Sequence, residues 1–284
     1  MGKLNSDLYT IFNQIVRDQT GIRLLNIYKG LPISYDASIH SINGDSITLK
    51  TNKYQLVCLY LERETFIQSV QLPNALRAKL VHLDAKNLEA TFTGFEYVKG
   101  GIGDREQVRV DPNNQITCFL QPKNTRHTVE ADVSDISQDG IGIILDRGLF
   151  IPSIYQIGAE ITIFLAIPET GNATSRPTSN IDSNSPMSRF SRENLRGINY
   201  QDNTPNLTSR YSANSSQTGI LRLAIRAIIR NLRPELNLNR YRIGMRIFPD
   251  DQAHLLITQF ISLRQSEIIR EIRMMFDLLE KFNN

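Results

Sequence analysis

From Ile33 onward apolar and polar residues alternate with period two, and this pattern constrains the fold more than any other feature of the 284 residues. "ISYDASIHSINGDSITLKT" is two alternating runs joined around Asn43-Gly44, a dipeptide that accepts the positive φ of a tight hairpin turn. Such runs put one set of side chains on a core and the other in water, as antiparallel strands do. "KYQLVCLYL", "TFIQSVQL", "LRAKLVHLD" and "NLEATFTGFEYV" continue the strand-like content, so residues 24–98 are expected to form a small antiparallel barrel. Ahead of them Leu8, Ile11, Phe12 and Ile15 fall at helical spacing and predict a short amphipathic helix.

The alternation stops at "KGGIGDREQVRVDPN", a glycine-rich, charged stretch that reads as a connection between domains. It resumes in "QITCFLQP", "HTVEADVSDI", "GIGIILD", "AEITIFLAIP", "GILRLAIRAIIRNL" and "RYRIGMRIF", which predict a second antiparallel barrel. Residues 169–218 interrupt that set with ten Ser, eight Asn and six Thr. Such a segment buries too little apolar surface to offset its ordering entropy, so it is expected to be a disordered insertion. Its Arg189, Arg192, Arg196 and Arg210, with Phe190 and Tyr200, read first as a solvated linker and second as a contact for a partner or a nucleic acid.

After Pro249 no Gly or Pro follows, and Asp250 and Asp251 stand where acids complement a helix dipole. Ile261, Ile268, Met275 and Phe282 recur every seven residues, and Ile272 and Leu279 lie three positions ahead of the last two. A seam of that period wants a partner helix. At 1.5 Å per residue the helix would run about 45 Å, longer than one small barrel, so its distal half is expected to meet another chain or the first domain. The whole is a mainly β chain. Residues 1–99 form a first barrel with a leading helix, 100–168 and 219–250 a second barrel around the 169–218 insertion, and 251–284 a long C-terminal helix.

Charge and composition exclude several classes. A net charge of +3 is far from the dense basic stripe of a protein that binds duplex phosphates, so no DNA is expected. Cys58 and Cys118 each sit in an apolar run without metal-ligand spacing and read as buried thiols in a reducing compartment. No window of about 18 apolar residues occurs and the start carries no secretory h-region, so no membrane span and a cytoplasmic location are expected. His40, His82, His127 and His254 are scattered, and no Cys/His or paired-carboxylate constellation suggests a metal or hydrolytic centre.

The candidate site lies at the connection. Arg105 and Arg109 stand four residues apart where the glycine-rich stretch enters a strand. A guanidinium fork matches phosphate oxygens and the O6/N7 edge of guanine. In "DVSDISQDGIGI", Asp135 and Ser137 alternate at a strand end and Gly140 permits a tight turn. A carboxylate accepts from guanine N1 and N2, and a hydroxyl can donate to phosphate. Taken singly, the arginines could instead form exposed ion pairs with Asp104, Glu106 or Asp111, of little energetic weight.

These residues resemble a paired family signature. "RxxxR", met by Arg105 and Arg109, followed by "[D/N]xSxxG", met by Asp135, Ser137 and Gly140, is similar to the signature of PilZ domains, bacterial receptors for cyclic di-GMP. "YRIGMRIFPDDQAHLL" resembles their closing strand and helix, so the likeness covers roughly residues 104–168 and 219–265. It implies that the two arginines hold phosphates and the guanine edge, that Asp135 reads guanine, and that Ser137 and Gly140 shape the turn beneath the ligand. The order of domains is similar to that of YcgR-type flagellar brake proteins, whose N-terminal barrel precedes the PilZ barrel. The resemblance therefore implies a non-enzymatic receptor whose ligand, at the interdomain junction, changes domain geometry. Its protein partner would be a flagellar motor, pilus or polysaccharide machinery, and a homo-oligomer through residues 257–282 is a further expectation. The second reading is a ligand-independent oligomeric scaffold that uses the C-terminal helix.

Overall fold

A computed structural model describes residues 6–98, 107–123, 125, 127–168 and 220–282. The 169–218 insertion, Asp104 and Arg105 lie outside the described residues. The chain divides into one unit of residues 1–167 and 222–284 and another of residues 168–221.

The first unit holds both barrels. Helix α1 (Ser6–Asp18) buries Leu8, Phe12 and Ile15. The first barrel comprises β1 (Ile22–Tyr28), β2 (Leu31–Asn43), β3 (Ser46–Lys50), β4 (Glu64–Gln68), β5 (Leu76–Asp84) and β6 (Glu89–Tyr97). It closes in the order β1-β2-β3-β6-β5-β4. The expected hairpin is β2–β3, with Asn43 paired to Ser46 across Gly44, whose φ is +57°.

One expected strand is a helix. "KYQLVCLYL" forms α2 (Lys53–Glu62), started by Asn52, whose side-chain oxygen accepts from the Tyr54 amide at 2.9 Å, and ended by Arg63 in the left-handed region. Gln55, Leu56, Val57, Cys58 and Leu59 are all buried in succession. Five successive buried residues show no apolar period, so the run could not be told from a buried strand by periodicity. The Asn cap was the local signal.

The second barrel comprises β7 (Thr117–Pro122), β8 (Val129–Ile136), β9 (Gly140–Asp146), β10 (Glu160–Pro168), β11 (Ile220–Glu235) and β12 (Arg240–Phe248), closed as β10-β11-β12-β9-β8-β7. Both cysteines are buried and free, and burial pushes each thiol up to about 12. No helix among the described residues is long and apolar enough to cross a membrane.

Helix α3 (Asp251–Phe282) begins at Asp250, whose carboxylate accepts from the Ala253 amide at 2.8 Å. Ile257, Ile268 and Ile272 are fully buried. The seam expected to meet another chain or the first domain is covered within this chain at Ile261, Ile268 and Ile272 and partly at Met275 and Leu279. Lys29 of the first barrel reaches Glu271 at 2.6 Å, Arg273 donates to the Tyr54 hydroxyl at 3.2 Å, and Lys53 lies over the Phe276 ring. Of the two expected neighbours for the distal half, it is the first barrel that packs there.

Candidate functional site at the junction of the barrels

Where the connection re-enters the fold it is clamped from three sides. The Val110 amide donates to Ile136 O at 2.9 Å and the Ile136 amide donates to Val110 O at 3.0 Å, which fixes the segment to the end of β8. The Asp111 amide donates to Lys29 O at 3.0 Å, in the β1–β2 turn of the first barrel. From α3, the Arg264 Nε donates to Asp111 O at 2.9 Å. Arg264 is almost wholly buried and its Nη1 donates to both Glu267 and Glu271, each at 3.0 Å, while Lys29 holds the other oxygen of Glu271. Gly30 is required here. Its φ is +79°, and a Cβ would lie 2.9 Å from both Arg109 O and Asp111 Oδ1. Burial and the nearby Asp135 push the Asp111 carboxyl up, against the pull of Arg242, Arg264 and Lys29.

Arg109 stands on this clamp. Its guanidinium donates to Asp135 Oδ1 at 3.2 Å, across 26 residues of chain, and does not turn to Asp111. Asp135 is nearly buried; its other oxygen accepts from Arg242 at 2.9 Å and from Ser134 Oγ at 2.8 Å. Burial alone would raise the Asp135 carboxyl, but the Arg242 and Ser134 hydrogen bonds and the two guanidinium charges outweigh it and hold the group below its ordinary value. The guanidiniums stay half open, with Arg109 32 % and Arg242 48 % exposed along the side chain. The result is an ionised acceptor flanked by two cations with free N–H groups facing water.

The strands build this by local exceptions. Register slips between Val133 and Asp135, so Ser134 is an extra residue on β8, and the bulge turns Ser134 and Asp135 together toward one side. Opposite them is Gly142, where a Cβ would run into both the Asp135 carboxylate and Ser134 Oγ. Gly142 pairs in turn with Gly244 of β12, and Gly244 with Asn231 of β11, whose side chain crosses the glycine to accept from its amide at 3.0 Å. Two cross-strand glycines thus leave room for the side chains of Asp135 and Ser134 over one and of Asn231 over the other.

Ser137 and Gly140 lie in the turn from β8 to β9. Ser137 is fully buried; its amide donates to Gly140 O at 2.8 Å, and its hydroxyl lies 3.1 Å from both Gly140 O and Asp139 Oδ1. It does not share a strand face with Asp135, and its hydroxyl is taken up inside the turn. At Gly140 a Cβ would crowd Ser137 Oγ at 3.2 Å and Met245 O at 3.3 Å, while the Arg109 guanidinium at 3.6 Å would be in ordinary contact, so the missing side chain chiefly relieves the turn. The structure therefore brings together Arg109, Asp135, Ser137 and Gly140. Sequence reasoning missed Arg242, Ser134, Gly142, Gly244 and the clamp residues Lys29, Gly30 and Arg264. The glycines inside the apolar strands were the available signal. Among the described residues no group of His, Cys, Asp and Glu could hold a metal ion.

No family model matches the sequence, and no curated protein does. Among solved structures the chain is similar to the inhibitor of motility MotI/DgrA of Bacillus subtilis, at 12 % identity over 87 % of this chain and 96 % of that one, with a TM-score of 0.38. It is similar to K. pneumonia MrkH in its complex with c-di-GMP, at 12 % identity over 94 % and 96 %, TM-score 0.39. It is also similar to Escherichia coli YcgR in complex with c-di-GMP, at 13 % identity over 98 % and 96 %, TM-score 0.31.

Proposed function

We propose that this chain is a receptor for cyclic di-GMP, held at the junction of the two barrels by Arg105, Arg109 and Asp135 over the turn formed by Ser137 and Gly140. The observation that carries the reading is the half-open Arg109–Asp135–Arg242 cluster, set on a segment that both barrels and α3 grip at once. A cyclic diguanylate offers two phosphates and two guanines. The O6/N7 edge and the phosphates suit guanidinium forks, and the N1/N2 edge suits the ionised Asp135. Binding needs no bond-making group, so the chain acts as a receptor and not as an enzyme.

Because Arg109 and Asp111 belong to the clamp, a ligand that draws the Arg109 side chain outward bears on Lys29, Gly30 and Arg264 together. The output is a change in the angle between the barrels, read in the cytoplasm by a protein partner in a flagellar motor, pilus or polysaccharide machinery. Self-association through residues 257–282 would use the exposed Leu263, Met274 and Leu278, since Ile261, Ile268 and Ile272 of the seam are covered.

Calorimetric titration with cyclic di-GMP, beside GTP and the linear diguanylate, tests the reading. Saturable binding of the cyclic ligand, weakened about 10- to 100-fold in Arg109→Ala, is the expected result. No heat with the cyclic ligand, or equal affinity in the variant, overturns it.

A further inference from the structure

The β11–β12 hairpin carries the charge of the whole molecule. Residues 220–248 hold seven arginines against one glutamate and so stand at +6, in a chain whose net charge is +3; all other residues together carry −3. Ile225, Ala227, Ile229, Ile243 and Met245 fill the buried face of the hairpin, so the intervening arginines point outward. Arg233 and Arg242 are direct cross-strand partners, an arrangement of like charges that destabilises a sheet unless an anion lies between them. Arg242 has Asp135 and Arg240 has Glu235, whereas Arg230, Arg233 and the neighbouring Arg147 have no carboxylate partner among the described residues.

The end of this hairpin is apolar. Its turn, Leu236–Leu238, leaves Leu236 68 % and Leu238 59 % exposed. Beside it runs the loop after β9, which exposes Leu149 and Ile151 by nearly half. The Arg147 amide donates to Asn239 O at 3.1 Å, and Phe150 stacks on Tyr241 with ring centroids 3.8 Å apart, so the two loops form one braced tip. Four aliphatic side chains are therefore exposed at one end of the barrel, with Arg147 and Arg233 close by along the chain and Glu235 already paired to Arg240.

We propose that this tip docks on an anionic membrane surface, with Leu149, Ile151, Leu236 and Leu238 entering the headgroup and acyl boundary and Arg147, Arg230 and Arg233 taking lipid phosphates. Exposed aliphatic groups backed by arginine are the chemistry of peripheral attachment to acidic lipid. A nucleic acid would use the arginines but has no use for an aliphatic knob, and the two rings at the tip, Phe150 and Tyr241, are half-buried and stacked on each other. The attachment is peripheral, goes beyond the ligand reading and does not depend on it.

Co-sedimentation of the full chain with vesicles of phosphatidylglycerol and phosphatidylcholine, against phosphatidylcholine alone, is the test. Binding to the acidic vesicles alone is expected. It should fall about tenfold or more both in Leu236→Ser with Leu238→Ser and in Arg147→Glu with Arg233→Glu, with the melting temperature unchanged because all four side chains are on the surface. Absence of binding to acidic vesicles overturns the proposal, as does equal binding by the leucine variant. Duplex DNA that binds wild type and leucine variant alike, and strips the protein from vesicles, assigns the basic face to nucleic acid and overturns it too.

Discussion

The two barrels have the same strand count and the same closed antiparallel plan, yet they treat their polar groups in opposite ways. In the first, Asn26 sits at the centre of a buried knot. Its side-chain oxygen accepts from Gln55 at 2.6 Å and Thr65 at 2.8 Å, and its nitrogen donates to Glu62 at 2.8 Å and to Glu64 O at 2.7 Å. Asn26, Gln55 and Thr65 are essentially without exposure, and all four hydrogen-bonding positions of the Asn26 amide are filled. Such a knot ties α2 to the barrel wall, and the Gln55 oxygen, which has no hydrogen-bond partner among the described residues, is buried out of a ligand's reach. In the second barrel the comparable cluster lies on the outside, over glycines, with two guanidiniums whose remaining donors face water. A network closed off from water holds a fold together, and one left open at a surface recognises something.

The contrast breaks most visibly at its centre. Asn26→Ala is expected to cost about 4 kcal/mol in stability, because Gln55, Thr65 and Glu62 all lose a buried partner, while affinity for cyclic di-GMP stays the same. Urea unfolding beside calorimetry checks this, and a drop in affinity would mean that the knot communicates with the junction. Gly30→Val should cost about 3 kcal/mol, from the positive φ together with the clash against Arg109 O. Unlike the Asn26 change it should also weaken the ligand, since it displaces Arg109. Asp135→Ala reverses the first pattern, with about 2 kcal/mol lost in affinity and less in stability, because both arginines can turn to solvent.

The smallest effects lie in the pH dependence, where the two clusters have opposite signs. Asp135 is held below its ordinary value, so its stabilisation is complete above about pH 4 and is lost as pH falls through the lower folded value. Asp135→Asn should flatten that acid limb. Glu62 is pushed up, first by burial and against the Asn26 hydrogen bond, so the unfolded chain ionises before the folded one. Stability is therefore lost as pH rises from about 4 through the raised value, and Glu62→Gln should recover it at neutral pH. Unfolding curves between acid and neutral pH that slope the same way for both variants would remove the distinction.

Much of this was legible before any coordinates. Period-two runs marked both barrels, and the Asn43-Gly44 turn fell within one residue of its place. Arg109 and Asp135 stood out because short spacings of charged groups are visible along a chain. What was hidden depended on register. Arg242 meets Asp135 across 107 residues, and only the pairing of β8, β9 and β12 brings it there. β8 ends at Ile136, so Ser137 belongs to the turn and not to the face of Asp135, an ending that the alternation does not mark. α2 was misread because five successive buried residues show no period, and the α3 seam was left between another chain and the first domain because nothing in a heptad says whose surface covers it.

Amide hydrogen exchange with and without cyclic di-GMP tests the central claim most directly. The account predicts ligand protection at residues 107–111 and 134–142, with no change around Asn26, Gln55 and Thr65. Protection confined to the first barrel, or spread evenly over both, would contradict it.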